Sequence, residues 1–400
     1  MNVKARGCDL ALPLPEAEYQ GRQAWLEELM EGLKIQGVIA LGSHVFYLTG
    51  YPKFAEAVYV QARDRGKILL SSIDEAYVRE EGWRICCDEI VQVEDLAVSN
   101  RLSFNPEFKV LLRILKEFKG LRMGLAGGSY ADPRLLEALK GYFRQLLDCS
   151  ESLWVARRVK SLREREILRA AYYAVSDSLN EGVKAVDEGV TRSELAGLIA
   201  ENLYIHGVDG LSEGFSVGSG FNPSALSYPE GEEEGLRRGE VVTFNVGCCL
   251  YGYKAEASRS VIVGEEGMPS LIEGLTILYE SAEAAFQAAA SGKGLGEVCN
   301  ASWRVFKERG WKGRAWGYIH SIGIDGWEPP AYRVDSSPAN LDLQEGMTLC
   351  LDVAVIPKPG LGILRLKDGL LIREDSVERL VTGILSDPPK FRIQPKRLKA

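Results

Sequence analysis

Between Glu16 and Gln36 apolar side chains return every three or four positions, at Trp25, Leu26, Leu29, Met30 and Leu33, and Gly37 ends the run. This recurrence predicts an amphipathic helix that leads into a strand at Val38 to Ala40. Short apolar runs at 57–62, 67–70, 90–93 and 123–126 then alternate with helix-like stretches near 74–81, 108–118 and 133–146. Strands alternating with helices predict an α/β domain. Glu151 to Lys160 has little period of its own and marks a boundary. Beyond it, helical spacing runs from Arg157 to about Val186 and returns at 191–206, 270–291 and 296–308, with strand-rich stretches between. Helices flanking an antiparallel sheet make this second part α+β. The expected division is therefore 1–155, 156–385 and a basic tail at 386–400.

One stretch in the second part carries chemistry. Val241 to Ser260 (VVTFNVGCCLYGYKAEASRS) reads as a β-hairpin, in which a run rich in Val, Thr and Phe meets a Gly/Cys turn and a second run follows Gly252-Tyr253. Its alternation aims Asn245 and Glu256 into one cavity.

Composition narrows the function classes. The chain has 400 residues, is 46% hydrophobic and carries a net charge of -8. That length can bury substantial cores, and that charge gives no basic footprint for nucleic acid or an anionic membrane. The first residues lack an apolar signal region and no stretch is long enough to cross a bilayer, so a cytoplasmic protein is expected. Eight cysteines without C-x-x-C spacing are expected as reduced thiols.

The hairpin resembles the "D-x-G … G-Y-x-x-D-x-x-R" text of the pita-bread hydrolases, the fold shared by prolidase, aminopeptidase P, methionine aminopeptidase and creatinase. FYLTGY (46–51) and RRVKSLREREILRAA (157–171) resemble further signatures of these proteins, so the likeness spans nearly the whole chain. It implies a curved antiparallel sheet in the second domain and a homodimer. In the peptidases five ligands, Asp, Asp, His, Glu and Glu, hold two metal ions. Carried across by motif, they fall at Asn245, Glu256, His320 (in HSIGIDGWEPP), Asp352 (in LQEGMTLCLDV) and Lys367 (in LRLKD). Two further family histidines fall at Tyr228 and Trp327. The remaining histidines, His44 and His206, match no motif and are expected on the surface or at helix caps.

An ammonium at residue 367, where a bridging carboxylate belongs, repels a second cation, so a dinuclear site is not expected. Asn at the first position, H-S-x-G, and a basic residue at the last position resemble creatinase more than the peptidases. The expectation that follows is metal-independent hydrolysis of a C–N bond in a small amide or amidine compound, with no cofactor. Glu256 or Asp352 would deprotonate water, oriented by Asn245. Lys367 would stabilise developing negative charge, and His320 would return a proton. Tyr228, Trp327 and Arg333 would bind substrate, Arg through its planar fork, while Arg365 and Arg259 would brace the sheet. Two alternatives stand beside this reading. One is a metal-dependent Xaa-Pro peptidase, with a single divalent ion on Glu256, His320 and Asp352 as the reduced form of its centre. The other is a binding protein without catalysis on the same fold.

Overall fold

The opening recurrence folds as helix α1 (Glu16–Leu33), closed where Lys34 enters the left-handed region at φ 54°. The computed structural model describes residues 14–52, 57–63, 66–71, 85–92, 112, 115–212, 214–220, 234–264, 268–333, 341–358, 361–383 and 392–393. The chain divides into two units, Ala11–Arg157 and a second containing Arg158–Ala400.

In the first unit α1 is followed by β1 (Gly37–Ala40), α2 (Ser43–Thr49), β2 (Ala57–Ala62), β3 (Gly66–Ser71), β4 (Glu89–Gln92), β5 (Arg122–Ala126), α3 (Pro133–Tyr142), β6 (Gln145–Asp148) and α4 (Ser150–Arg158). The six strands run in the order β4-β3-β2-β1-β5-β6, antiparallel at β2 and parallel elsewhere. Ile39, Val58, Val60 and Leu125 pack against Leu135, Leu139 and Phe143 of the α3 region. The mixed sheet with helices is the expected α/β arrangement.

Two local readings change. The helix expected over 133–146 stops at Tyr142, and Gln145–Asp148 pair in register with Arg122–Leu125. Leu146-Leu147 is too short a run to declare a period, and the free edge of β5 decides its state. The stretch taken as an aperiodic boundary is helix α4, in which only Leu153 and Arg157 are buried; so narrow a face leaves little pattern to read. The helix expected at 74–81 lies outside the described residues, and of 108–118 only Leu112 and the short 3-10 turn Leu115–Phe118 fall within them.

The second unit holds α5 (Leu162–Lys184), α6 (Arg192–Ile205), β7 (Gly210–Leu211), β8 (Ser216–Ser219), β9 (Val241–Leu250), β10 (Tyr253–Val263), α7 (Pro269–Ala288), α8 (Leu295–Glu308), β11 (Arg314–Ser321), β12 (Glu328–Arg333), β13 (Thr348–Ile356), β14 (Leu364–Ile372), β15 (Val377–Arg379) and β16 (Arg392–Ile393). Ser161 with Glu164 and Thr191 with Glu194 form reciprocal capping boxes that start α5 and α6. The main path of the sheet is β12-β11-β13-β14-β10-β9-β7, with β8 on β9, β15 on β14 and β16 on β10.

Helices α5 and α6 cover Val242, Phe244, Val246, Ala255 and Ala257 of β9 and β10. Helices α7 and α8 cover Leu351, Val353, Leu366 and Leu370 of β13 and β14. Because alternate residues of a strand face opposite ways, these positions commit one face to core and leave Asn245, Glu256, Asp352 and Lys367 on the other. The hairpin turn is Tyr251-Gly252, at φ 50° and 79°, as a two-residue primed turn requires. The Gly/Cys segment expected as the turn instead lies inside β9, its residues paired through Gly247↔Glu256 and Cys248↔Ala255. Among the described residues no helix is long and apolar enough to cross a membrane, and the seven described cysteines are free thiols.

Tyr172 of α5 is fully buried and reaches β14 at Gly369, where an added Cβ would sit 2.3 Å from its ring carbon Cζ. Gly369→Ala should therefore lower stability by about 1–3 kcal/mol through overpacking. Gly141→Ala, in α3 with open space around it, should raise stability by about 0.5–1 kcal/mol through helix propensity. Urea denaturation measures both; equal midpoints for the two variants would contradict this packing.

Candidate active site

Register brings the site together. Across the sheet Asn245 pairs with Ser258, Ser258 with Lys367, Lys367 with Asp352, and Asp352 with Tyr318. Cross-strand partners share a face, and Glu256 and His320 lie two residues from Ser258 and Tyr318 along the same strands, so they join it. Five expected residues, Asn245, Glu256, His320, Asp352 and Lys367, thus occupy one face on five strands. On the opposite face Arg259 reaches Asp368 at 3.0 Å and donates to the carbonyls of Ser258 and Lys367 at 2.8 Å. It ties β10 to β14 directly beneath the row.

The charges on this face are closed by short pairs. Lys367 Nζ lies 2.5 Å from Glu256 Oε2 and 3.7 Å from Asp352 Oδ2. Arg365, two residues before Lys367 on the same strand, grips Asp352 with both ends of its fork, at 2.8 and 2.5 Å. It does not act as the sheet brace the sequence suggested. Two carboxylates and two fixed cations therefore balance. Burial alone would lower the Lys367 ammonium, but the charges of Glu256 and Asp352 outweigh it and hold it above its ordinary value. Burial likewise works to raise the Asp352 carboxyl, and the hydrogen bonds and charge of Arg365, with Lys367, overcome this and leave it below its ordinary value.

His320 is wholly buried, its Nδ1 lies 3.0 Å from the carbonyl oxygen of Ser321, and its ring stacks on Trp327 at 4.0 Å. Burial first of all lowers its pKa, favouring neutral imidazole. Trp327 is half exposed and Tyr318 meets its ring edge-on at 5.4 Å, so the two aromatics form a wall beside the histidine. Glu256 Oε1 faces Gly326, where an added Cβ would lie 2.9 Å away. The loop carrying Gly326 and Trp327 is held from behind by a buried pair, Lys160 Nζ to Glu328 Oε2 at 2.9 Å, with Ser321 Oγ 3.2 Å from the same nitrogen. Asn245 donates from Nδ2 to the carbonyl of Gly214.

Arg333 pairs with Tyr318 at the exposed end of β12, and Tyr228 lies outside the described residues. His206 caps the C-terminus of α6 and pairs with Asp177 at 2.9 Å. His44, expected at a surface or cap, is instead buried against Trp154, at 4.7 Å. Sequence reasoning passed over Lys160, Glu328 and the role of Arg365. For Arg365 a signal existed: it shares strand parity with Lys367.

Removing the ammonium would strand the Glu256 carboxylate beside the Arg365-bound Asp352 on a buried face. Lys367→Met should cost about 3–5 kcal/mol at neutral pH. Because the folded pKa of Lys367 is raised, its contribution is fully present below the unfolded value of about 10.4 and is lost as pH rises through the folded value. For Asp352, whose folded pKa is depressed, the contribution is present above about 3.9 and lost as pH falls through the folded value. Denaturation at neutral and alkaline pH should show the variant lacking the wild type's alkaline loss; equal stability of the two proteins at pH 7 would contradict the pairing.

Comparison with known proteins places this geometry. Metallopeptidase family M24 matches residues 166–374, just over half of the chain. The Xaa-Pro dipeptidase of Pyrococcus horikoshii is 22% identical over 88% of this chain and 94% of its own length. That of Pyrococcus furiosus is 26% identical over 60% of this chain and 66% of its own length, so the match spans just under two thirds of that protein. Among solved structures, the Xaa-Pro dipeptidase from Bacillus anthracis superposes with a TM-score of 0.76, 20% identity and coverage of 94% of this chain and all of that one. The X-Pro aminopeptidase from Thermotoga maritima gives 0.74, 19%, 91% and 98%. At these identities the structural likeness establishes the fold, a two-domain architecture with a pita-bread sheet.

These relatives overturn the creatinase-type expectation of a metal-independent amide or amidine hydrolase; the alternative of a metal-dependent Xaa-Pro peptidase accords with them. They equally overturn the expectation of no cofactor, since the family is one of metal enzymes. The donors on this face, however, do not fit the family's two ions. An ammonium occupies the place of one ligand, and Glu256 is already bound to it. Arg365 engages both oxygens of Asp352, which removes the third member of the single-ion set as well. Among the described residues no group of three or more His, Cys, Asp or Glu side chains is arranged to hold a metal ion. With its matching domain, its sheet and its full-length likeness to Xaa-Pro dipeptidases, the chain belongs to metallopeptidase family M24.

Proposed function

We propose that this chain is an Xaa-Pro peptidase-type protein whose pocket receives a short peptide with proline in second position. The observation that carries the reading is the match to a Xaa-Pro dipeptidase along 94% of that enzyme's length, beside a family match over 166–374 that contains the five site positions. Trp327 and Tyr318 would form the apolar wall for the proline ring, and Arg333 at the rim would pair with the peptide's carboxylate. Glu256, His320, Asp352, Lys367 and Asn245 form the polar floor. The homodimer implied by the family likeness is part of the same proposal, and light scattering reads it.

One specific observation favours a second reading. Lys367 and Arg365 already hold the carboxylates that a metal would require, and a floor closed in this way would bind the peptide without cutting it. Glycyl-proline and alanyl-proline, incubated with the protein and excess Mn²⁺ or Co²⁺, with and without chelator, separate the two. Chelator-sensitive release of free proline is the outcome for a metal-dependent peptidase. Thermal stabilisation of about 2.7 kcal/mol at a hundred times Kd, without release, is the outcome for a binding protein. Neither release nor stabilisation would remove Xaa-Pro peptides as the ligand class.

A further inference from the structure

The polar face of the sheet continues past Asn245 onto β8. Ser216 is the direct cross-strand partner of Asn245, and its neighbour Val217 packs into the core with α5 and α6, so Ser216 is turned to the side that carries Asn245, Glu256 and Lys367. Both members of the pair are buried, at 2% and 6% exposure. Asn245 directs Nδ2 at the carbonyl of Gly214, which can only accept, and this fixes Oδ1 as the other end of its amide. Neither Asn245 Oδ1 nor Ser216 Oγ has a hydrogen-bond partner among the described residues. The hydroxyls around them do. Ser258, on the other flank of Asn245, donates to the carbonyl of Phe244 at 2.7 Å, and Thr243 and Ser260, two residues further along the same strands, meet at 2.7 Å.

Buried polar atoms without partners are costly, and a ligand that supplies partners removes the cost. This pair asks for one chemistry. Asn245 Oδ1 can only accept, whereas the Ser216 hydroxyl can donate. A primary carboxamide carries N–H donors and an acceptor oxygen on one carbon, so a single neutral group answers both. A carboxylate has no donor for Oδ1, and an ammonium would bury a charge where the carboxylate of the adjoining strand, Glu256, is already bound to Lys367. An aliphatic side chain leaves both atoms unmet. Two strand spacings, about 10 Å, separate Asn245 from Lys367 along the row Asn245, Ser258, Lys367, so a peptide seated on the Glu256 and Lys367 floor meets the pair only through a side chain of several atoms. Resting on the Xaa-Pro reading above, we infer that Ser216 and Asn245 form a side-chain subsite for the carboxamide of a glutaminyl residue in the first position of the peptide. The subsite selects the first residue and lies apart from the Trp327 and Tyr318 wall.

Calorimetric titration with glutaminyl-proline, methionyl-proline and glutamyl-proline, in the presence and absence of excess Mn²⁺, tests this. The three first residues are similar in length and differ in the group at the end. Where the peptides are cut, the ratio of kcat/KM values reads the same preference. The expected result is a preference of about tenfold for glutaminyl-proline over both others, the size of one or two neutral hydrogen bonds, and a ratio that falls toward one in Ser216→Ala. Equal affinity of the unaltered protein for glutaminyl-proline and methionyl-proline would overturn the subsite and leave the peptide reading standing. A preference that survives intact in Ser216→Ala would overturn its assignment to this pair, and tightest binding of glutamyl-proline would overturn the carboxamide chemistry. Failure of all three peptides to bind or be cut in either condition would end the inference together with the reading on which it rests.

Discussion

Two carboxylates buried on the same side of a sheet repel each other and lose hydration, so their charge must be answered within the fold. In this chain the answer is covalently attached. Lys367 sits against Glu256 and near Asp352, and Arg365 clasps Asp352 through both nitrogens. Register supplies the closeness, because Lys367 is the cross-strand partner of both Ser258 and Asp352. The same residue is thus a hinge between the two halves of the sheet and the centre of its charge balance.

The rest of the second unit serves that arrangement. Arg259 stitches the backbones of β10 and β14 from the opposite face, so the row of polar side chains cannot slide. A one-residue slip would send Lys367 into the core beneath α7 and α8 and bring Leu366 onto the polar face. The Lys160–Glu328 pair, buried on both sides, fixes the loop that brings Trp327 over His320. These contacts hold side chains in place within a rigid frame, which is what a selective pocket for a small ligand requires.

Much of this frame was readable in the residues. Alternation along 241–260 put Asn245 and Glu256 on one side, and the helical recurrence expected at 191–206 begins at the residue that caps α6, Thr191. The family motifs then located His320, Asp352 and Lys367. What failed did so for identifiable reasons. Gly247-Cys248-Cys249 resembles a turn by composition, yet the left-handed pair Tyr251-Gly252 fixes the reversal four residues on. Leu146-Leu147 has no period until β5 offers an edge. Arg365 shares the parity of Lys367 and so its face, but its partner Asp352 lies on another strand, and the Lys160–Glu328 contact joins residues 168 positions apart, a separation that spacing cannot reveal. Reaction class was misjudged because motif departures were weighed more heavily than overall likeness, and the relatives restored Xaa-Pro peptides as the chemistry to consider.

The claim beneath all of this is that residue 367 is a cation at the heart of the site. Nitrogen NMR of protein labelled at lysine Nζ, with the Lys367→Arg variant used for assignment, measures it directly. The account predicts an ammonium resonance for Lys367 that persists above about 10.4, where a lysine in water loses its proton. A neutral-amine resonance at pH 7, or titration below that value, would contradict it.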